Sequence, residues 1–279
     1  MKILITGTTG YVGSNLLLKY SSYSNNLLSW GKTSVYQEIY DFRPDVIFHS
    51  AAEIYNEEKM FDSNIKLTYD LLKIAAKIKT KAFIYIGSSS EYGIKSISLS
   101  EQEILEPITL YGATKAAGSL LTSVAKIPSI IARPFSLYGK NEPLHRLIPK
   151  IYDSIKNNTP ITIYSGVHDF IYIDDFIDGL DLCMNQLLTK KVYKDILNFG
   201  TGHQYTNLEV VNLFEEILQN KLNYKIKNSL LKEYDSLNWR NNTTYTENKY
   251  GYKTKINLKK GLEKYIQYRE TTPKENIRY

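Results

Sequence analysis

MKILITGTTGYVGSNLL, residues 1 to 17, brings a strand, a turn and the start of a helix into one stretch. The apolar run Lys2 to Thr6 predicts a buried strand, and Tyr11 to Lys19 predicts a helix. Between them Gly7, Gly10 and Gly13 fall in a GxxGxxG spacing. Glycine lets a backbone turn sharply and approach a pyrophosphate, while the first turn of the next helix offers N–H groups and the positive end of its dipole. The placement after a strand and before a helix carries more weight than the pattern. It makes Gly7, Thr9, Gly10, Tyr11, Val12 and Gly13 the expected dinucleotide-binding residues, against the alternative of a merely structural turn.

The residue that selects the adenosine ribose is expected about 20 residues or slightly more beyond such a turn, on Ser29, Trp30, Gly31 and Lys32. No carboxylate stands there to accept from both ribose hydroxyls, while Lys32 can pair with a 2′-phosphate. This favours NADP(H), with NAD possible. The competing reading makes Lys32 a solvated turn residue and gives the adenosine to a backbone group or to Trp30. The stretch between Gly13 and Asp45 is short for a second and third strand with their helix, so one strand is expected to be absent, and the adenosine pocket with it.

Further along, Asp45 to His49, Ala82 to Ile86 and Ser129 to Ala132 read as buried strands. Helices are expected at Ser63 to Lys77, Tyr111 to Ala125, Leu144 to Lys156, Asp174 to Leu188 and Asn207 to Gln219, the last opened by the capping box Thr206-x-x-Glu209. The alternation predicts an α/β protein with a doubly wound parallel sheet of the Rossmann type. After Pro143 it weakens into short strands (Ile161 to Tyr164, Lys225 to Lys227), helices and Asn-rich turns. The expected division is a dinucleotide-binding domain of residues 1–143 and 168–202, with a smaller substrate-binding region of 144–167 and 203–279. Thr271 to Tyr279, polar and carrying Pro273, is expected to fray.

Composition narrows the function classes. The 279 residues are 43% hydrophobic, enough for a sizeable core. Lys+Arg 35 against Asp+Glu 29 gives +6, spread without a run of like charge. Nucleic-acid binding is not implied; a solvated lysine-rich surface accounts for most of the excess, and nucleotide phosphates suit it. The one cysteine, Cys183, excludes an intramolecular disulfide and a Cys-based zinc site. His49, His145, His168 and His203 form no HExxH pair or ligand cluster, so no metal is expected. The apolar run Ile3, Leu4, Ile5 ends at Thr6 and Gly7, too short for a signal peptide or spanning helix, and the expected setting is the cytoplasm, away from membranes.

A Tyr-x-x-x-Lys pair places a phenol and an ammonium one helical turn apart. It occurs at Tyr55/Lys59, Tyr69/Lys73, Tyr111/Lys115, Tyr152/Lys156 and Tyr245/Lys249, so abundance alone produces it. Only Tyr111/Lys115 opens a predicted helix and follows a Ser-rich segment, GSSSEYG (87–93), at the carboxyl end of a predicted strand, where ligands of doubly wound sheets bind. A free tyrosine has a pKa of about 10, and a nearby ammonium stabilises the phenolate. Ser88, Tyr111 and Lys115 are therefore the candidate catalytic residues: Ser88 to hold the substrate oxygen, Tyr111 to exchange its proton, Lys115 to stabilise the phenolate and bond the nicotinamide ribose. A half-buried tyrosine with a solvated lysine is the bland alternative. No Ser-His-Asp or nucleophile-elbow pattern occurs.

Together these residues resemble the extended short-chain dehydrogenase/reductase family, in its nucleotide-sugar epimerase, dehydratase and 4-ketoreductase branch. The likeness runs over almost the whole chain, through HSAAE (49–53), Asn64, ARPFSLYG (132–139), HRLIPKI (145–151), HDFIYIDDFIDG (168–179) and LNFGTG (197–202). It implies that Ala51, Ala52 and Pro134 line the cofactor. It places Ser88, Ser89, Phe135, Ser136, Arg146, His168 and Arg240 on the side of a nucleotide-diphosphate sugar, and it implies a homodimer through a four-helix bundle that includes the Tyr/Lys helix. Where 4,6-dehydratases of the family carry an Asp-Glu pair after the catalytic Ser/Thr, this chain has Ser89 and Ser90. His168 replaces an arginine that binds a phosphate in relatives, and Ser136 replaces an asparagine. The resulting expectation is an NADPH-dependent 4-ketoreductase acting on a nucleotide-linked 4-keto-6-deoxysugar. The alternatives are a C4 epimerase that retains NAD and, from another class, a dinucleotide-sensing protein without turnover.

Overall fold

In the computed structural model, residues 1–230 and 238–272 are described. The chain runs β1 (Ile3–Thr6), α1 (Tyr11–Lys19), β2 (Leu27–Trp30), α2 (Tyr36–Phe42), β3 (Val46–His49), α3 (Glu57–Met60), α4 (Leu67–Ile78), β4 (Ala82–Ile86), α5 (Leu110–Val124), β5 (Ser129–Pro134), β6 (Ser136–Tyr138) and α6 (Leu147–Asn157). There follow β7 (Ile161–Ser165), β8 (Val167–His168), β9 (Phe170–Tyr172), α7 (Ile173–Leu188), β10 (Lys194–Phe199), β11 (Tyr205–Thr206), α8 (Asn207–Leu218), β12 (Tyr224–Leu230), α9 (Thr244–Tyr250) and α10 (Leu258–Thr271). A π-helical segment, Phe61–Lys66, leads into α4. Of the tail expected to fray, residues 273–279 lie outside the described residues.

The chain divides into two compact units. The first holds Met1–Gly93, Glu101–Pro134 and Ile177–Phe199, and the second holds Ile94–Ser100, Phe135–Phe176 and Gly200–Tyr279. The first unit is built on a six-stranded sheet in the order β10-β5-β4-β3-β1-β2, with every pairing parallel. Helices crossing both faces bury its strands on both sides, which is why β1, β3 and β4 read as unbroken apolar runs; each is buried throughout. β1 lies between β2 and β3, so the strand order reverses there and opens the crevice at the strands' carboxyl ends.

The short stretch after Gly13 holds β2 and the seven-residue α2 before the chain enters β3. Among the described residues β2 is the sheet edge, so the strand that the 3-2-1-4-5-6 order sets outside it is absent. The sequence reading missed α2, which starts at Tyr36 after Val35, a cap with no side-chain hydrogen bond. α6 begins at Leu147 rather than Leu144 because Arg146 is still extended, its N–H donating to Pro143 O.

The second unit carries three two-stranded pairings, β6 with β9, β7 with β12 and β8 with β11. Tyr138, Phe170 and Tyr172 pack edge to face in its core. The capping box of α8 forms as the sequence reading expects, Glu209 N–H donating to Thr206 Oγ1 and Thr206 N–H to Glu209 Oε2.

Candidate active site

The glycine-rich turn leaves β1 at the switch point. Gly7 sits at φ +68, and a Cβ there would stand 2.6 Å from Ala51 Cα in the segment after β3. Gly13 packs the first turn of α1 onto Gly7: a Cβ would meet Gly7 O at 2.2 Å. Gly10 differs, because a Cβ would find only Gly7 O, at 3.2 Å. It caps α1 without a side chain, and Thr9 and Gly10 are exposed while Tyr11 and Val12 are half-buried. A backbone drawn close by two glycines, open at the third and backed by a helix N-terminus fits a dinucleotide pyrophosphate. The turn is held by His49, whose Nδ1 pairs with Thr6 Oγ1 at 2.8 Å and whose Nε2 pairs with Thr68 Oγ1 at 2.9 Å. Thr68 Oγ1 itself donates to Asn64 O, which assigns the proton of the neutral ring to Nε2. Burial and the charge of Lys115 push the His49 pKa down to about 3.

At the ribose end, Ser29 Oγ pairs with Thr8 Oγ1 at 2.6 Å. Trp30 is buried, stacked on Tyr36 at 5.5 Å, and donates Nε1–H to Val35 O, so its ring is taken up by packing. Gly31 and Lys32 form the following turn, with Lys32 exposed. Burial opposes ionisation of Glu53, but the N–H groups of Tyr55, Asn56 and Ile54 and the charge of Lys32 outweigh it and hold the carboxyl below its ordinary value.

The three candidate catalytic residues belong to the first unit. Ser88 caps a single 3-10 turn, Ser89–Glu91, at the end of β4: Ser90 N–H donates to Ser88 Oγ at 3.1 Å, and Ser88 N–H donates to Glu91 Oε1 at 2.8 Å. A hydroxyl that accepts from Ser90 keeps its own proton to donate. The first turn of α5 is pressed against this turn, since a Cβ on Gly112 would lie 2.6 Å from Ser90 O. Thr109 caps α5, placing the half-buried Tyr111 in its first turn. Lys115, one turn on, is buried and donates Nζ–H to Ile86 O at 2.6 Å, with the Tyr85 ring 4.3 Å away. Burial pushes its pKa down to about 8, against the charge of Glu91. Asn64 ties the helices together, donating to Thr114 Oγ1 and to Glu53 O.

Sequence reasoning missed the support under Ser88. Glu91 is fully buried, and its Oε2 accepts from Ser119 Oγ at 2.7 Å and from Arg133 Nε at 2.8 Å. Arg133 also donates to Tyr92 Oη, and Tyr92 donates to Asn198. The signal available was local: Ser88-x-x-Glu91 is itself a capping box.

Ala51 and Ala52, half-buried after β3, buried Ser89 and Pro134, the buried last residue of β5, also belong to the first unit; the remaining candidates belong to the second. Ser136 Oγ pairs with His168 Nδ1 at 3.2 Å. Burial and the charge of Arg146 push the His168 pKa down to about 4. Arg146 pairs with buried Glu142 at 3.5 Å; burial, opposed by Arg146, pushes Glu142 up to about 7. Phe135 lies 6.3 Å from Trp239, a residue the sequence reading did not single out. Arg240 donates Nε–H to Ser98 Oγ at 2.8 Å. Its segment is anchored by Asp169, which accepts from the N–H groups of Thr201, Gly202 and Asn241. Among the described residues no group of three or more His, Cys, Asp or Glu is arranged to hold a metal, and no helix is long and apolar enough to cross a membrane.

A family model described as the NAD dependent epimerase/dehydratase family matches residues 3–200. The chain belongs to this family. The matched stretch contains every candidate residue named above except Arg240. Among relatives, a dTDP-D-glucose 4,6-dehydratase of Dictyostelium discoideum is 26% identical over 75% of this chain and 60% of its own length. An uncharacterised UDP-glucose epimerase, YtcB, of Bacillus subtilis strain 168 is 26% identical over 96% of this chain and 98% of its own. Among solved structures, a UDP-glucuronic acid 4-epimerase from Bacillus cereus in complex with NAD superimposes with a TM-score of 0.83 at 25% identity, covering 99% of this chain and 98% of that one. The Rossmann-type sheet expected from the glycine turn is thus shared with that epimerase.

Proposed function

We propose that the chain is a nucleotide-sugar 4-epimerase that works with NAD. The observation that carries this reading is the turn after β4: Ser88 is held with its hydroxyl proton free to donate, α5 packs beside it, and Glu91, the one carboxylate of the turn, points inward onto Ser88 N–H, Ser119 and Arg133. An elimination needs an acid at the sugar's C6, and neither Ser89, Ser90 nor the buried Glu91 supplies one.

In this reading Lys115 keeps its ammonium at neutral pH and stabilises the Tyr111 phenolate. Tyr111 takes the proton of the C4 hydroxyl, and Ser88 donates a hydrogen bond to the same oxygen as it becomes a carbonyl. Bound dinucleotide supplies the two-electron acceptor and donor at that carbon. Gly7, Gly10, Gly13 and the N-terminus of α1 would hold its pyrophosphate, with Ala51, Ala52 and Pro134 beside it. Arg146 is the proposed anchor for the sugar nucleotide's diphosphate, with Phe135, Ser136, His168 and Arg240 as further contacts. The similarity to the UDP-glucose epimerase YtcB supports this choice of substrate, and that to the UDP-glucuronic acid 4-epimerase solved with NAD supports the choice of cofactor.

One observation favours a second reading, NADPH-dependent reduction of a nucleotide-linked 4-keto-6-deoxysugar: segment 29–32 has no carboxylate, and Lys32 is exposed beside the expected ribose site. Mass spectrometry of the purified protein separates the two. An epimerase retains NAD, interconverts two UDP-hexoses without added reductant and shows no net change at the nicotinamide band. Cofactor-free protein that oxidises NADPH stoichiometrically with an NDP-4-keto-6-deoxyhexose would instead establish the reductase, and Lys32→Ala would then weaken its preference for NADPH over NADH. A homodimer in the cytoplasm is the proposed setting. Leu120 and Val124 on α5 and Tyr69 on α4 are 60%, 73% and 48% exposed, an apolar face suited to a second copy and testable by light scattering.

A further inference from the structure

We infer that Glu91 is a positioning residue for Ser88, fixing its peptide and its hydroxyl at the end of β4 from a carboxylate wholly inside the protein. The inference rests on the reading that Ser88 meets the substrate oxygen.

The geometry is closed on every side. Glu91 Oε1 accepts from Ser88 N–H at 2.8 Å, while Oε2 accepts from Ser119 Oγ at 2.7 Å and Arg133 Nε at 2.8 Å. Gly87 gives the carboxylate its room, because a Cβ there would stand 2.6 Å from Oε1 and 3.0 Å from the Arg133 side chain. The Ser88 peptide is therefore tied to three separate elements: β4 through the chain, α5 through Ser119 and β5 through Arg133. With its N–H fixed by Glu91 and its Oγ fixed by Ser90 N–H, Ser88 is left with one freedom, the direction of the hydroxyl proton.

A buried carboxylate facing three donors cannot be replaced by an amide without conflict. Whichever way a glutamine side chain is turned, its NH₂ meets either Ser88 N–H or Arg133 Nε–H. Removing Arg133 as well resolves this: with Arg133→Met, the amide oxygen accepts from Ser88 N–H and the NH₂ donates to Ser119 Oγ. The pair Glu91→Gln/Arg133→Met also leaves the net charge unchanged.

The experiment compares wild type, Ser88→Ala, Glu91→Gln, Glu91→Gln/Ser88→Ala and Glu91→Gln/Arg133→Met. The readouts are kcat and KM with UDP-glucose or UDP-glucuronic acid, NAD binding, melting temperature and NMR hydrogen exchange of the Ser88 amide. Glu91→Gln is expected to lower kcat about 10- to 100-fold, as displacement of a catalytic group by about an ångström does, with KM and NAD affinity within about twofold, as expected when the lost interaction belongs to the transition state. It should cost nothing further once the Ser88 hydroxyl is gone. The Ser88 amide should lose protection in Glu91→Gln and regain it, together with kcat, in Glu91→Gln/Arg133→Met. An equal loss with and without the Ser88 hydroxyl overturns the inference, as does a Ser88 amide equally protected in all variants. Should Glu91→Gln melt below the assay temperature, the double variant decides: recovered protection supports the inference and lost protection overturns it. A wild-type rate in Ser88→Ala would overturn the catalytic reading itself, whereas a slow Ser88→Ala beside an unimpaired Glu91→Gln overturns only the role of Glu91.

Discussion

At the end of β4, Ser88, Glu91, Ser119 and Arg133 are each less than a tenth exposed, and both oxygens of Glu91 accept hydrogen bonds from named donors. In the second unit, Arg146 keeps 34% of its side chain in solvent and touches Glu142 at only 3.5 Å, while His168 pairs with Ser136 at 3.2 Å. The first arrangement is dry and fully satisfied, so each member holds the others in one geometry; buried polar networks of this kind are costly to leave incomplete. The second is looser and partly wet, because a third of the Arg146 side chain is in solvent. Proton transfer needs a group held to within a fraction of an ångström, whereas a diphosphate can be recognised by charge with some latitude. On the function proposed above, substitutions are thus better tolerated at the second cluster than at the first.

The largest effect expected from this contrast is at Tyr111. Steady-state kinetics of Tyr111→Phe should show kcat reduced by roughly 10²- to 10⁴-fold, the range for loss of a general acid/base group, with dinucleotide affinity near wild type. Tyr55 has a lysine at the same spacing but is 63% exposed, and Tyr55→Phe should leave kcat unchanged. Equal losses would mean that the reacting pair lies elsewhere.

Arg146→Ala sharpens the other side of the comparison. Losing a charged hydrogen-bond partner of a phosphate should raise KM for UDP-glucose about 10-fold while kcat stays within about twofold. A large fall in kcat with unchanged KM would show that the second cluster is as tightly coupled to the chemistry as the first.

The smallest effect is in the pH profile. The Lys115 pKa falls from its ordinary 10.5 to about 8 because the side chain is buried, so the rate should be about halved near pH 8 relative to neutral pH as the ammonium is lost. Stability should move the other way for this residue. Its folded pKa lies below the unfolded one, the unfolded chain binds more protons between about 8 and 10.5, and the contribution of Lys115 to stability rises with pH across that window. The rate profile, together with urea midpoints of wild type and Lys115→Met over the same range, checks both signs. A rate flat to pH 10 would contradict the role given to Lys115.

Much of this was readable in the chain because it is local. β1, the glycine turn and α1 follow one another within the first residues, and the helix boundaries Tyr11–Lys19 and the strand Ala82–Ile86 agree with the sequence reading to the residue. Tyr111 and Lys115 are one helical turn apart, so their spacing needs no long-range information. Lys32 was legible only as a charge: its influence on Glu53, from the turn after another strand, depends on how β2 and β3 flank β1.

By itself, then, the sequence determined the parallel sheet and the glycine-rich turn and singled out Ser88, Tyr111 and Lys115 as candidates, since apolar periodicity, glycine placement and helical spacing act between neighbours in the chain. Only the tertiary structure decided that β2 stands at the sheet edge, that Trp30 is absorbed by packing against Tyr36, and that Glu91 turns inward to Arg133 and Ser119. Those outcomes depend on residues far apart in sequence meeting inside a dry core, where a carboxylate must find its donors or pay the cost of burial, and no local pattern states which donors those will be.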